Sequence, residues 1–487
     1  MRLYITILLC GWLSFTMWGQ ESTLTFQDAL RIAHTKSAVA QEAKSTYKIS
    51  TLDYEIYRAN LRPSLSLSLT PGRYNRSIVQ RYDFESNQDI YRTQQTLFSS
   101  GRLILNQQVP FTGGNVFLYS DFQSYQTFGK SGYTQFTSAP IVIGYSQQLL
   151  GYNPYKWAKR IEDKRIELAH QQLAYTFEDI SINVTILYSD ALIAQKELEL
   201  ARAYASYTDI LRQKGEELEK LGRATHSDVL LLSLEHSQAE KRILNATNTL
   251  KNTLYLLCDY IGMIPEDSLY LHSLPHPTLL PIMEKEAILQ SLQNSPILHN
   301  RRLSIIAAQQ IVDKTRKQRF MEATLELTVG FNQTSQTLLS AYQNPLRQDI
   351  ISVGVSIPLV DWGIRKKNVQ KAQAELRNAT ISEEEAVKQI KREVSSLIKD
   401  YNLYLQAITL AQTDIELSKR LREESQEKYL LGKNSIETVL KANQKIQASE
   451  RDYLSAFKEC WIKYYQLRKY TLYNWENNTP IKITNIE

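Results

Sequence analysis

Two pairs of glycines constrain this chain more than any other feature: Gly144 with Gly222 and Gly354 with Gly432, each pair 78 residues apart and the second displaced from the first by 210. Ser146, Leu149, Val229 and Leu230 keep the same displacement, falling on Ser356, Leu359, Val439 and Leu440. A second displacement, 258, carries Asp28–Ser37 onto Glu286–Ser295. Each half of an internally repeated chain has to build the same supersecondary unit, so the repeat limits the folds available to both.

Between the paired glycines the apolar pattern repeats as well. Leu173, Phe177, Ile180, Val184, Leu187, Ala191, Ala194, Leu198 and Ala201 step by fours and threes, and Ile390, Val394, Leu397, Tyr401, Tyr404, Ile408 and Ala411 do the same in the second half. This is a coiled-coil seam written twice. No proline interrupts Tyr155 to Ile264 or Leu359 to Asn478, which permits helices of unusual length. Each half therefore reads as a moderate helix (Thr25 to Leu61; Met283 to Arg319), two strands, a long helix (Pro154 to Leu221; Gly363 to Leu431), a tight turn and a further helix (Ser227 to Ile261; Glu437 to Tyr470). A long helix of that span reaches about 100 Å, more than a globular core requires.

The strand segments alternate strictly. Leu65, Leu67 and Leu69 are separated by Ser66 and Ser68, and Ile351, Val353 and Val355 by Ser352 and Gly354, with the same pattern at Ile141–Tyr145 and Leu325–Phe331. A soluble sandwich with one wet face alternates identically. Tyr74, Tyr145 and Tyr152 near strand ends, with Trp157 and Trp362 just beyond, favour strands in lipid, because aromatic side chains collect at membrane interfaces. Four strands cannot close a membrane barrel, whereas three copies would supply twelve. The first half also carries 48 residues without a counterpart, within an extra hairpin region at about positions 74–135, in which Leu103–Leu105 and Val116–Phe122 flank Thr112-Gly113-Gly114 and read as an added hairpin.

The remaining composition mainly excludes. A net charge of +6 over 57 basic and 51 acidic side chains lacks the dense basic stripe of a nucleic-acid binder. Seven histidines form no metal-site pair, no phosphate-binding loop is present, and neither an enzyme activity nor a cofactor is expected. Arg2 followed by the apolar run Leu3–Leu13 reads as a secretory signal peptide over 1–19, too short to span a membrane. The first repeat then covers 20–261, a linker containing Pro265, Pro275, Pro277 and Pro281 covers 262–282, the second repeat covers 283–470, and 471–487 form a tail.

Four local patterns, in this order within repeated halves, resemble the TolC family of outer-membrane efflux proteins over nearly the whole chain after residue 19. Ser146-Gln147-Gln148-Leu149-Leu150-Gly151-Tyr152-Asn153-Pro154-Tyr155 and Ser356-Ile357-Pro358-Leu359-Val360-Asp361-Trp362-Gly363 are similar to the family's junctions from strand to long helix, which places Pro154, Pro358 and Gly363 at those junctions. Leu221-Gly222-Arg223-Ala224-Thr225-His226-Ser227-Asp228 and Leu431-Gly432-Lys433-Asn434-Ser435-Ile436-Glu437-Thr438 resemble its hairpin tips. Glycine there can end one helix in the left-handed conformation, Thr225 and Ser435 can cap the next, and Asp228 can complete a capping box.

The resemblance implies a membrane α+β fold of two tandem helix-strand-strand-helix-helix repeats. It contributes four strands to a 12-stranded trimeric β-barrel continuous with a long periplasmic α-helical barrel. It further implies an exit duct of a tripartite efflux or type I secretion system, whose partners are its own trimer mates, outer-membrane lipid, a periplasmic adaptor docking at the tips and an inner-membrane transporter of RND or ABC type. The family's acidic entrance ring is largely missing: Thr438 and Lys441 stand at the second-half positions, only Asp228 matches in the first, and Glu437 is the remaining acid nearby. The competing reading is a periplasmic adaptor or helical scaffold without a membrane barrel, against which stand the two complete repeats with a strand pair in each.

Overall fold

The computed structural model describes residues 23–129, 132–149, 151–264, 269–275, 282–431 and 433–481. The signal-peptide expectation over 1–19 and the tip residue Gly432 lie outside the described residues, as do parts of the linker. In chain order the elements are β1 (Thr23–Leu24), α1 (Phe26–Lys36), α2 (Ala38–Asn60), β2 (Ser64–Asp83), β3 (Gln88–Val109), β4 (Gly114–Phe128), β5 (Tyr133–Gln148), α3 (Pro154–Lys220) and α4 (His226–Ile261). There follow β6 (Tyr270–Leu271), α5 (Glu284–Asn294), α6 (Pro296–Lys317), β7 (Glu322–Ser335), β8 (Leu346–Ser356), α7 (Ile364–Leu430) and α8 (Ile436–Thr471). The repeat is exact in its four longest helices: α3 and α7 each hold 67 residues, α4 and α8 each hold 36.

The moderate helices expected as single pieces are each broken in two, at Ser37 and at Ser295, which are equivalent positions in the repeat. Ser37 turns its hydroxyl onto the backbone N–H of Ala40 at 3.1 Å and so starts α2 as a cap instead of continuing α1. At Ser295 the following Pro296 does the same work sterically, since proline disfavours helical backbone in the residue before it and opens a new helix well. Both serines are buried, so the breaks are packed features.

The chain divides into two units. The helical unit comprises residues up to 46, 171–295 and from 388 onward. Its core is aromatic: Phe26 packs against Tyr188, Trp461 and Tyr465 with ring centroids 5.5 to 6.1 Å apart. Tyr188 donates its hydroxyl to the carbonyls of Leu24 and His272, tying down the short parallel pair of β1 and β6. Acids on α3 meet bases on α8 along this unit: Glu178 with Arg468 at 2.8 Å, Asp179 with Lys469 at 2.6 Å, Asp190 with Lys458 at 2.5 Å and Glu197 with Arg451 at 2.9 Å. As one number rises the other falls by the same step in the last three pairs, which fixes α3 and α8 as antiparallel and in one register. Glu178 is buried and Arg468 largely so, and Arg468 lies over the ring of Tyr465 at 5.0 Å.

The sheet unit comprises 47–170 and 296–387. Here the expectation of four strands is corrected. All six strands β2, β3, β4, β5, β7 and β8 form one antiparallel sheet in that order. The expected added hairpin is present as β3 and β4 around Thr112-Gly113, and it lies within the sheet, its backbone pairing with β2 on one side and β5 on the other. Among the described residues no helix is long and apolar enough to cross a membrane.

Breaking the buried ion pair tests the register of the helical unit. Glu178→Ala leaves Arg468 charged and largely buried without its partner, and should cost about 3–5 kcal/mol in a denaturant titration. Lys164→Ala, which removes an exposed pair with Glu167 on a single helix, should cost less than about 1 kcal/mol.

Candidate functional site

The first tip lies between α3 and α4. Arg223 donates its backbone N–H to Leu218 at 2.8 Å and Gly222 to Glu219 at 2.9 Å, the paired bonds that close a helix C-terminus, and Gly222 takes the required left-handed conformation at φ 71°. Thr225 then caps α4. Its hydroxyl accepts from the Asp228 N–H at 3.2 Å, and the Asp228 carboxylate accepts from the Thr225 N–H at 3.0 Å, so the expected capping box is present. Leu221 is left 70% exposed at the apex.

The second tip repeats the exit from the helix but not the entry. Lys433 donates to Lys428 at 2.8 Å, as Arg223 does to Leu218, and Leu431 is exposed as Leu221 is. Ser435 occupies the cap position of α8 without a side-chain cap, which corrects the expectation for it: its hydroxyl lies 3.1 Å from that of Thr438. The reason is the residue type at 438. A carboxylate reaches back to the cap's backbone N–H, whereas a threonine hydroxyl instead engages the serine that would have capped.

Beneath the apices the two hairpins meet. Leu211 of α3, Leu232 of α4, Tyr429 of α7 and Ile436, Val439 and Leu440 of α8 form one buried cluster. Glu437, Thr438 and Lys441 face outward from it. Asp228 is committed to its cap and Lys441 is basic, which leaves Glu437 as the outward acid among these described tip residues. Gly215 was not legible as part of this site: a Cβ there would come within 2.6 Å of the buried Leu232 side chain, so its absence sets how closely α4 approaches α3. A lone glycine inside a long helix was the available signal.

The junctions into the long helices are built by side-chain caps. Asn153 accepts from the N–H groups of Tyr155 and Lys156 at 3.0 and 3.1 Å, with Pro154 at the first helical position where its missing N–H costs nothing. Pro358 follows β8, and Asp361 accepts from Gly363 and Arg365 at 2.9 and 3.1 Å across the left-handed Trp362 and Gly363. The backbone N–H groups of Arg365 and Gly363 hold the Asp361 carboxyl below its ordinary range, so this cap is lost only as pH falls through that lowered value.

The strand surface, in the sheet unit, is a second candidate site. Leu65, Leu67 and Leu69 of β2 share one face with Leu103 and Leu105, Leu118, Ile143, Val329 and, on β8, Ile351, Val353 and Val355. Leu67 is 62% exposed and Ile351 78%, so among the described residues none covers this face at those positions. The opposite face carries Ser66, Ser68, Glu326, Ser352 and an Arg102–Asp121 pair at 3.2 Å. Among the described residues no cluster of three His, Cys, Asp or Glu could hold a metal.

Residues 287–471 match the family described as outer membrane efflux protein. The chain carries an outer membrane efflux protein domain. That domain spans the second repeat, from α5 through α8. No curated protein matches the sequence. The fold of the whole chain is similar to that of the outer membrane protein VceC from Vibrio cholerae, at 14% identity and TM-score 0.64 over 92% of this chain and 95% of that one. It is likewise similar to the CmeC outer membrane channel of Campylobacter jejuni (13% identity, TM-score 0.64, covering 92% and 85%). The open-state MtrE outer membrane channel of Neisseria gonorrhoeae aligns at 16% identity and TM-score 0.60 over 92% of this chain and 88% of that chain. The efflux-protein domain and the matching fold thus agree with the resemblance drawn from the tips and junctions.

The difference between the two tips is testable. Thr438→Asp should give α8 the carboxylate that α4 has, stabilising its first turn by about 1 kcal/mol, and Asp228→Ala should cost α4 about as much. Hydrogen exchange at the first-turn amides should slow roughly fivefold in one variant and quicken as much in the other.

Proposed function

We propose that this protein is a homotrimeric exit duct of the outer membrane. It passively conducts substrate handed over by an inner-membrane transporter of RND or ABC type through a periplasmic adaptor. The observation that carries this reading is a single-layer sheet with one exposed apolar face and one polar face, in a chain with an efflux-protein domain. Lipid covers such a face and a water-filled lumen suits the other. Trp362, 93% exposed next to the end of β8, sits where a strand would leave the bilayer.

In this reading the helical unit lines the periplasmic part of the duct and the tips form its inner end. Leu221, Gly222, Arg223, Thr225 and Asp228 on one hairpin, with Leu431, Gly432, Lys433, Ser435, Glu437, Thr438 and Lys441 on the other, are the proposed docking surface for the adaptor. Exposed leucines at both apices support this, since an apolar apex left in water gains from a partner's groove. Without an acidic ring the entrance has no strong preference for cations. The duct holds no energy source, so opening follows from partners that bind one arrangement of the tips better than another.

Extracted protein should need detergent and sediment as a trimer; a monodisperse protein without detergent would favour the scaffold reading. Gly222→Val, which strains the left-handed turn, should reduce export severalfold in cells while trimers persist. Normal export by that variant would remove the tips as the docking site.

A further inference from the structure

The six-stranded sheet ends in two unpaired edges, β2 and β8, and the hydrogen-bonded rows across it fix how those edges can meet. Ser64 of β2 lies opposite Asn106, Asn106 opposite Phe117, Phe117 opposite Gly144, Gly144 opposite Thr328 and Thr328 opposite Ile350 of β8. Ile350 is six residues from Ser356, where β8 ends. One row crossed from edge to edge therefore arrives six residues above the end of the last strand.

From this we infer that β2 of one copy pairs with β8 of the next, with Ser64 opposite Ser356, and that three copies close an eighteen-stranded barrel and not a twelve-stranded one. The count of three rests on the trimeric reading above, whereas the seam rests on the sheet alone. Three observations support the seam. An even number of antiparallel strands leaves first and last strands running in opposite directions, so a second copy continues the ladder without a break. The end-matched joint sets Leu65 against Val355, Leu67 against Val353 and Leu69 against Ile351, all of them on the exposed apolar face. A slip by one residue would turn these onto the polar face.

The third observation is the tilt. A stagger of six residues per six strands, at a rise of about 3.3 Å and a strand spacing of about 4.8 Å, inclines the strands by about 35°. Membrane barrels lie at about 35–45°. A slip of two residues one way gives about 25° and falls outside that range, while a slip the other way gives about 42° and stays inside it. Eighteen strands at the end-matched tilt enclose a barrel of about 17 Å backbone radius, against about 11 Å for twelve. The outer section of this duct is half again as wide as four strands per copy would allow.

The test uses the full chain in outer membranes. Ser68→Cys with Ser352→Cys places facing thiols on adjacent copies, and mild oxidation should give covalent dimers and trimers that reductant reverses. Directly opposed strand residues fall within the separation a disulfide spans, at Cα distances of about 4.4–6.8 Å, whereas diagonal neighbours lie at about 7–8 Å. Ser66→Cys or Thr70→Cys, each with Ser352→Cys, reports the two slipped registers and should give at least tenfold less product. Cys258 and Cys460 are buried and provide the background in the parent chain. Electron microscopy of the parent protein in nanodiscs should count eighteen strands. A trimer with twelve strands, or cross-linking that is stronger in a slipped pair, overturns the inference and leaves the duct standing. A protein that is not trimeric overturns the duct reading itself.

Discussion

The constraint on which the rest depends is that this sheet cannot satisfy itself. Six strands in one layer leave two edges of unpaired backbone groups and one face of leucine, isoleucine and valine open. Neither is stable in water: an unpaired edge recruits other strands, and an apolar face this broad recruits other apolar matter. A sandwich would have supplied a second sheet from the same chain, but every long strand is already in the first. The closure proposed above, with further copies around a lumen and lipid outside, would satisfy both. The polar face with its Arg102–Asp121 pair is compatible only with water or protein on the inner side.

The helical unit meets only part of its requirements internally, since Leu234, Leu244 and Leu410 on its helices stay exposed. Its aromatic core, the carbonyls of Leu24 and His272 held by Tyr188, and four acid-base pairs between α3 and α8 all lie within one chain. Most of those pairs are partly exposed and add little energy each. Their value is in register, because acids on one helix and bases on the other discriminate against a sliding of one seam past the other in a way that leucine against leucine does not. Long repeated helices need such a device, since a heptad seam fits its neighbour nearly as well one heptad along.

Much of this was legible in the sequence because the repeat wrote it twice. The long helices, the tip turn at Gly222, the capping box of Thr225 and Asp228 and the alternating strands were all carried by local periodicity or local chemistry. The strand count was not. β3 and β4 run well past the apolar belt, and Gln94, Gln95, Gln123 and Gln126 interrupt the alternation there, so only Leu103–Leu105 and Val116–Phe122 registered as strand. Backbone pairing, which ignores side-chain polarity, holds those glutamines in the sheet regardless. The breaks at Ser37 and Ser295 escaped for the opposite reason: helical periodicity continues through them, and only the competition of one hydroxyl and one proline for the backbone divides the helix. Gly215 is invisible without its neighbour, because what it permits is the approach of Leu232 from another helix.

The two tips show how a repeat can keep a fold and change a local stability. Both hairpins close with the same backbone bond, from Arg223 to Leu218 and from Lys433 to Lys428. Only α4 begins with a carboxylate satisfying the cap, and α8 begins with two hydroxyls satisfying each other. That leaves α8 without the side-chain cap that α4 has, a difference of about 1 kcal/mol. It is partly offset by packing, because Ile436 is buried in the shared cluster whereas its counterpart His226 is exposed. The first tip is thus held by its cap and the second by its neighbours. An arrangement of that kind makes the position of α8 depend on α3 and α4 remaining in contact with it more than the capped start of α4 depends on α8.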